Sequence, residues 1–427
     1  MNDRLSVKEL LKLYYGFDIF RAGQEAVIES IMSGRDTLAL MPTGGGKSLC
    51  FQLPALVLPG TTVVISPLIA LMKDQVDALK ARGLSASFIN SSLSEGEIER
   101  RTEQVVSGKL KILYIAPERL GVGFVSVLQK IPIGLVAVDE AHCVSTWGHD
   151  FRPDYLEIAN HLSRLSKRPV LAAFTATATP EVKDDIIKRL RLVNPQVFVR
   201  GFDRPNLRFF TRAWLSDFNR DKEVERLANL LGGSGIVYCG TRDKTEELAG
   251  FLRSSGIKAM PYHAGMEPKE RTRVQEQFMS GDVRVITATI AFGMGVDKAD
   301  VRFVIHAHMP GSLENYYQEA GRAGRDGKPA YCILLHSGED EALQEYFISK
   351  NFDEAVERGK LINEAATIRM IKTEKLRKID EYVTSRACRR RIILEYFGDE
   401  EISSLGENCR GCDHCLNYKW EDKNLFI

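Results

Sequence analysis

Short β-branched and apolar runs alternate with helix-length amphipathic segments through the first 340 positions. TLALM (37–41), TVVIS (62–66), KILYIA (111–116), LVAVD (135–139) and VLAAFT (170–175) read as strands, and stretches such as LIALMKDQVDALKARG read as helices between them. Strands that are apolar at every position are buried on both faces, which predicts a parallel sheet covered by helices. The pattern restarts with GIVYC (235–239), KAMPYH (258–263), VRVITAT (283–289), VRFVIHAH (301–308) and AYCILL (330–335). From about residue 340 the strand signal stops and helical patterning continues. The expectation is an α/β protein: tandem parallel-sheet domains over 1–207 and 208–340, joined near 203–212, and a helical segment over 341–427.

Composition changes this picture little. The 427 residues are 44% hydrophobic and 27% charged with a net charge of +1, an ordinary globular profile for roughly two to four domains. A balanced total is compatible with a local basic groove, so it neither suggests nor excludes a nucleic-acid partner. The N-terminus lacks the apolar core and small-residue cleavage site of a secretory signal. No run approaches the ~18 uninterrupted apolar residues of a membrane span, and no membrane partner is expected. Cys50, Cys143, Cys239 and Cys332 are scattered singly, which is no disulfide framework and points to a reducing cytoplasm.

Candidate chemistry begins with MPTGGGKS (41–48), between a predicted strand and a predicted helix. There Thr43, Gly44, Gly45 and Gly46 can turn backbone N–H groups toward phosphates, with Lys47 reaching the β- and γ-phosphates of ATP and Ser48 holding Mg²⁺. Met41 stands where the usual pattern has its first glycine. Asp139 and Glu140 close an apolar strand. Asp139 suits the Mg²⁺ shell, and Glu140 suits the base that prepares water for attack on the γ-phosphate. In YYQEAGRAGRDG (316–327), Arg322 and Arg325 are three apart, which predicts one helical face from which both point across a cleft as arginine fingers.

Two further groups stand out. Directly after the acids, Trp147, His149, Phe151, Arg152 and Tyr155 form an aromatic and basic strip on a predicted exposed loop; its flat faces can stack on bases of any sequence and its cations can meet a nucleic-acid backbone. Cys388 and, after twenty intervening residues, CRGCDHC (409–415) bring together Cys388, Cys409, Cys412 and Cys415. Four thiolates suffice for a closed tetrahedral Zn²⁺ site with His414 pointing outward, and a [4Fe–4S] cluster is the rival reading. Between these groups, 372–391 carries eight Lys or Arg, either a solvated face or a DNA-backbone contact.

Taken in order, MPTGGGKS, DEAH (139–142), TATAT (175–179), YHAG (262–265), TIAFGMGVDK (289–298) and QEAGRAGRDG (318–327) resemble the motif set of superfamily 2 helicases. FRAGQ (20–24), the segment CVSTWGHDFRPDY and the four cysteines resemble the RecQ family of DNA helicases. That resemblance implies two RecA-like domains followed by a small zinc-binding helical subdomain. It implies that Gln24 reads adenine, Arg21 supports the nucleotide, Phe17 stacks on the base in place of a commoner tyrosine, and Gln318 belongs to the nucleotide site. It implies Zn²⁺ at the cysteines, an aromatic strip that couples DNA binding to ATP turnover, and 3′–5′ unwinding in repair and recombination. The partners implied are single-stranded DNA and forked duplexes with a 3′ tail, in the bacterial cytoplasm at the nucleoid. Ala22 replaces the family's usual proline, and Ala320 a small polar residue. The chain ends twelve residues beyond Cys415, before the winged helix and further helical domain that many RecQ proteins carry; a naturally short member and a truncated one are both compatible with this. An RNA helicase, or a nucleotide-gated DNA-binding module that does not unwind, are the competing functions.

Overall fold

The computed structural model describes residues 5–42, 44–148, 150–199, 202–213, 217–293 and 298–420. The chain divides into two compact units, residues 1–201 and 202–427. The first holds β1 (Thr37–Leu40), β2 (Thr61–Ile65), β3 (Ala86–Ile89), β4 (Ile112–Ile115), β5 (Ile133–Val138), β6 (Val170–Thr175) and β7 (Gln196–Val199) in one seven-stranded sheet, ordered β3-β4-β2-β5-β6-β1-β7. Every pairing is parallel. Its inner strands β1, β2 and β4 are buried at every position, as continuous apolar runs require. Phe51, on the helix Lys47–Val57, packs edge-on against Phe174 of β6 at 5.3 Å. Burying each such ring stabilises the unit by roughly 1.5–3 kcal/mol.

The second unit holds β8 (Leu207–Ala213), β9 (Ser234–Tyr238), β10 (Ala259–Tyr262), β11 (Val285–Ala288), β12 (Val301–His306) and β13 (Ala330–His336), ordered β10-β11-β9-β12-β13-β8 and again parallel. The stretch expected as a joint, 203–212, is therefore largely strand: β8 pairs with β13 over its whole length. β3, β7 and β8 escape the sequence pattern because polar residues such as Ser87, Gln196, Arg208 and Arg212 interrupt their apolar runs; all three are outermost strands, as is β10, whose run is less interrupted.

The expected helical segment is present as helices Gly338–Glu357, Ile362–Thr384 and Arg389–Phe397. It packs within the second unit. Tyr382 meets Tyr316 at 5.2 Å between ring centres, and Lys375 Nζ lies 2.6 Å from the buried Glu314 Oε1. The basic run thus splits between two fates. Lys375, Arg389 and Arg390 serve internal contacts, while Arg377 and Lys378 pair with Glu374 and Glu381 at the surface. Beyond the last helix, the cysteine-bearing segment lies along the free flank of β8: Phe209 N donates to Gly411 O at 2.9 Å, and Asp413 N to Phe209 O at 3.0 Å. Among the described residues no helix is long and apolar enough to cross a membrane.

Candidate functional site

In the first sheet β5, β6 and β1 are adjacent and parallel, so the segments that follow their carboxyl ends converge, as ligand-binding loops of open α/β sheets do. After β1 comes the glycine loop. Gly44 and Gly46 adopt φ of +80° and +79°, a region that a side chain disfavours, and the helix Lys47–Val57 starts directly behind them. Lys47 Nζ folds back to within 3.3 Å of Met41 O, and Ser48 follows on the helix's first turn. Thr43 lies outside the described residues.

Gln24 is buried against this loop. Its Nε2 donates to Gly45 O at 3.2 Å and Gly46 O at 3.3 Å, and its Oε1 accepts the Arg21 N–H at 2.8 Å. Arg21 in turn donates from Nη1 to Gly44 O. A Cβ on Gly46 would stand 2.2 Å from Gln24 Nε2, so only glycine admits this approach. The residues expected to read the base thus hold the phosphate loop in this state. Phe17 is 55% exposed.

After β5 come the acids. Asp139 is 8% exposed, and its carboxyl is pushed up to about 7, first by burial and then by the Glu140 carboxylate, against the pull of Lys47. Glu140 takes a left-handed backbone, φ +46° and ψ +48°, which costs a non-glycine residue about 1–2 kcal/mol. Its Oε2 is sealed from solvent without a hydrogen bond, and His142 Nδ1 lies 3.4 Å away. The same His142 nitrogen is 2.8 Å from Thr175 Oγ1 at the end of β6. Backbone strain, one unsatisfied buried oxygen on Glu140 and the buried Asp139 carboxyl beside a lysine-bearing glycine loop fit a Mg²⁺–triphosphate group, whose cation would offset their charge. His142 and Thr175 were not singled out as site residues from the sequence; the histidine's place in the box DEAH was the available signal.

The aromatic strip divides. Trp147 is 48% exposed and Phe151 half-buried, whereas His149 lies outside the described residues. Tyr155, expected at the surface, is fully buried and donates from Oη to Asp139 O at 3.0 Å. Arg152, expected to face a nucleic-acid backbone, donates to Asp150 Oδ2 at 2.9 and 3.1 Å and to Pro67 O at 3.1 Å, which makes it a brace of the loop. Gly148 presses on the acid box so closely that a Cβ would meet His142 O at 2.2 Å.

In the second unit the helix Leu313–Ala320 ends before the two arginines. Arg322 and Arg325 do not share a helical face; they sit in successive tight turns, because Gly324 (φ +55°) and Gly327 (φ +80°) reverse the chain. Arg322 is buried, with Nη1 donating to Gly293 O, and a Cβ on Gly293 would lie 2.3 Å from Arg322 Nη2. Arg325 and Gln318 are half-buried.

The Sγ atoms of Cys388, Cys409, Cys412 and Cys415 all lie within 4.8 Å of one another. Tetrahedral zinc with Zn–S bonds near 2.3 Å sets sulfur–sulfur distances of about 3.8 Å, so the four thiolates suit one Zn²⁺ and leave too little space for an iron–sulfur cube. His414 is exposed beside them, as expected.

Comparison with known proteins agrees with this geometry. Residues 21–185 match the DEAD/DEAH box helicase model, 222–327 the helicase conserved C-terminal domain, and 338–416 the RecQ zinc-binding domain. The ATP-dependent DNA helicase RecQ of Bacillus subtilis is 43% identical over 408 residues, which cover 95% of this chain and 66% of that protein. The probable ATP-dependent DNA helicase RecS of the same organism is 38% identical, with 96% of this chain and 92% of RecS covered. Among solved structures, Saccharomyces cerevisiae Dbp5 bound to RNA and ADP BeF3 superposes with a TM-score of 0.62 at 19% identity over 86% of this chain and 97% of its own, a likeness of fold alone. The chain spans between 62% and 66% of the length of the bacterial RecQ relatives it matches. With its paired helicase models, its cysteine lobe and a relative matched over nearly its whole length, the chain belongs to the RecQ helicase family.

Proposed function

We propose that this chain is an ATP-dependent DNA helicase that moves 3′ to 5′ on single-stranded DNA and opens duplexes in recombination and repair, at the bacterial nucleoid. The observation that carries the reading is the physical continuity of the aromatic loop with the acid pair. Tyr155 holds the backbone carbonyl of Asp139, and Gly148 abuts that of His142, so a base stacked on Trp147 shifts a loop that contacts the backbone carrying the hydrolytic carboxylates.

In this mechanism Phe17 stacks on adenine, and Gln24 and Arg21 exchange their loop contacts for the nucleotide. Thr43, Gly44, Gly45, Gly46 and Lys47 cradle phosphates; Ser48 and Asp139 would hold Mg²⁺. The ion supplies neutralisation of charge on the phosphate oxygens. Glu140 takes the proton of the attacking water, and His142 with Thr175 fixes its side chain. Gln318, Arg322 and Arg325 offset the charge that builds on the γ-phosphate, a contribution of ~10³–10⁵ in rate for such arginines. Trp147, His149 and Phe151 contact DNA, and Arg152 and Tyr155 stiffen the loop that presents them. Cys388, Cys409, Cys412 and Cys415 hold structural zinc.

The deciding experiment is strand separation on a forked duplex with a 3′ tail, with Lys47→Ala as the blank, beside ATPase stimulation by single-stranded DNA and RNA. Unwinding and preferential stimulation by DNA are expected. Hydrolysis without separation would favour a nucleotide-gated DNA-binding module, and equal stimulation by RNA would favour an RNA remodeller.

A further inference from the structure

The segment Phe202–Asn206 is a strap with a different set of bonds on each side. Toward the turn that carries the arginines, Arg204 gathers three carbonyl oxygens just beyond helix Leu313–Ala320: Nη2 donates to Ala323 O and Gly324 O, each at 3.0 Å, and Nη1 reaches Gly321 O at 3.4 Å. Asn206 Nδ2 adds bonds to Gly324 O at 2.8 Å and Lys328 O at 3.0 Å. A Cβ on Gly324 would stand 2.5 Å from that amide. Toward the cysteine lobe, Arg390 is buried on the first turn of the helix that begins beside Cys388. It donates to Asp203 Oδ1 at 2.5 Å, Arg204 O at 2.7 Å and Leu207 O at 2.6 Å. Asp399, also buried, accepts Phe202 N at 3.0 Å, and the Phe202 ring stacks on Phe397 at 4.7 Å.

We infer that Arg204, itself held by Arg390, is a positioning residue for Arg322 and Arg325, so that the cysteine lobe sets where those arginines stand. The inference rests on the role proposed above for Arg322. Its physical basis is directional. A planar guanidinium can bind several converging carbonyls at once, which a lysine ammonium on a flexible stem cannot do in a fixed plane, and a cation there complements the negative end of the helix. Backbone bonds from Gly324 N to Val301 O at 2.9 Å and from Asp326 N to Ala299 O at 3.2 Å tie the far part of the turn, and the clamp adds the fixed bonds at Gly321, Ala323 and Gly324 that flank Arg322.

The test is a double-mutant cycle on the full chain, reading kcat and KM for ATP, affinity for a fluorescent ADP analogue, and zinc content. Arg204→Ala is expected to lower kcat roughly 10- to 100-fold, the loss that ångström-scale misplacement produces, with ADP affinity and zinc content unchanged. Arg204→Lys should restore only part of the rate. In an Arg322→Ala background the same change should cost less than about twofold, because residues that act as one unit are not additive. Equal losses in both backgrounds, or a kcat for Arg204→Ala within about twofold of the parent, overturn the inference. Should Arg204→Ala lose zinc or fail to fold, Asn206→Ala carries the same cycle with the same expected pattern, and unchanged turnover there overturns it equally. A slow Arg322→Ala enzyme beside a normal Arg204→Ala enzyme removes the clamp alone; a normal Arg322→Ala enzyme removes the role of the arginine, and the clamp falls with it.

Discussion

Tyr155 Oη donates a 3.0 Å hydrogen bond to the backbone oxygen of Asp139 from a position without solvent exposure. Tyr155→Phe keeps the ring and removes the bond, leaving a buried carbonyl short of a partner at a cost of about 1–3 kcal/mol. Expected outcomes are a lower melting temperature and weakened DNA stimulation of ATP turnover, with basal nucleotide affinity retained. Full stimulation in this variant would show that the bond is structural only.

Trp147 exposes 48% of its surface and offers the open stacking face of the loop. Trp147→Ala should leave stability within about 0.5 kcal/mol of the parent while costing ~1–3 kcal/mol of single-stranded DNA affinity, the contribution of one stacked base. Thermal melts and DNA titrations by fluorescence anisotropy check the two halves separately. A large loss of stability would make Trp147 a core residue.

Asp139 gives a pH dependence with a defined sign. Its carboxyl is raised from an ordinary 3.8 to about 7 by burial and by Glu140, so the folded state favours the protonated form. That contribution is fully present below the unfolded value and is lost as pH rises through about 7. Asp139→Asn cannot ionise. Without nucleotide or Mg²⁺, the variant should gain stability over the parent between about pH 4 and pH 7, by a few kcal/mol at most, with a constant difference above that range. Urea unfolding of both proteins across pH tests this, and parallel curves would contradict it. The same variant should lose ATP hydrolysis.

Zinc removal should act on the second unit as a whole. Asp413, between two cysteine ligands, accepts Thr211 N at 3.0 Å and Arg389 Nε at 3.1 Å, so the metal lobe is bonded to β8 and to the helix Arg389–Phe397. Cys412→Ser, or chelation, should lower the melting temperature and release one zinc per chain, measured by metal analysis, and the intact protein should show no iron–sulfur absorption. A stable, active, zinc-free chain would contradict this reading.

The sites legible in the sequence were those whose chemistry demands fixed local spacing: the loop through Lys47 and Ser48, the acids at a strand end, and the cysteines in CRGCDHC. Ten strands, the nine inner ones and the outermost β10, announced themselves as apolar runs, whereas β3, β7 and β8 did not, because polar residues such as Ser87, Gln196 and Arg208 interrupt them. The helical face expected for Arg322 and Arg325 failed on a signal that was present: Gly321, Gly324 and Gly327 interrupt the segment. Tyr155 could not be placed, since its partner is a backbone carbonyl and nothing in a loop aromatic's neighbours reveals that. Arg390 was read within a charge run because its carboxylate partner, Asp203, is 187 residues distant. Spacing along the chain reveals local chemistry; it does not reveal which charges are spent inside the fold.

The flank of β8 covered by Gly411 and Asp413 has one more consequence. Remove the lobe and the outermost strand of a parallel sheet presents a bare row of donors and acceptors, a template onto which a strand from another copy can add. Metal loss should therefore show itself first as clumping, with light scattering that climbs steeply with protein concentration, before any sign that the sheet itself has come apart.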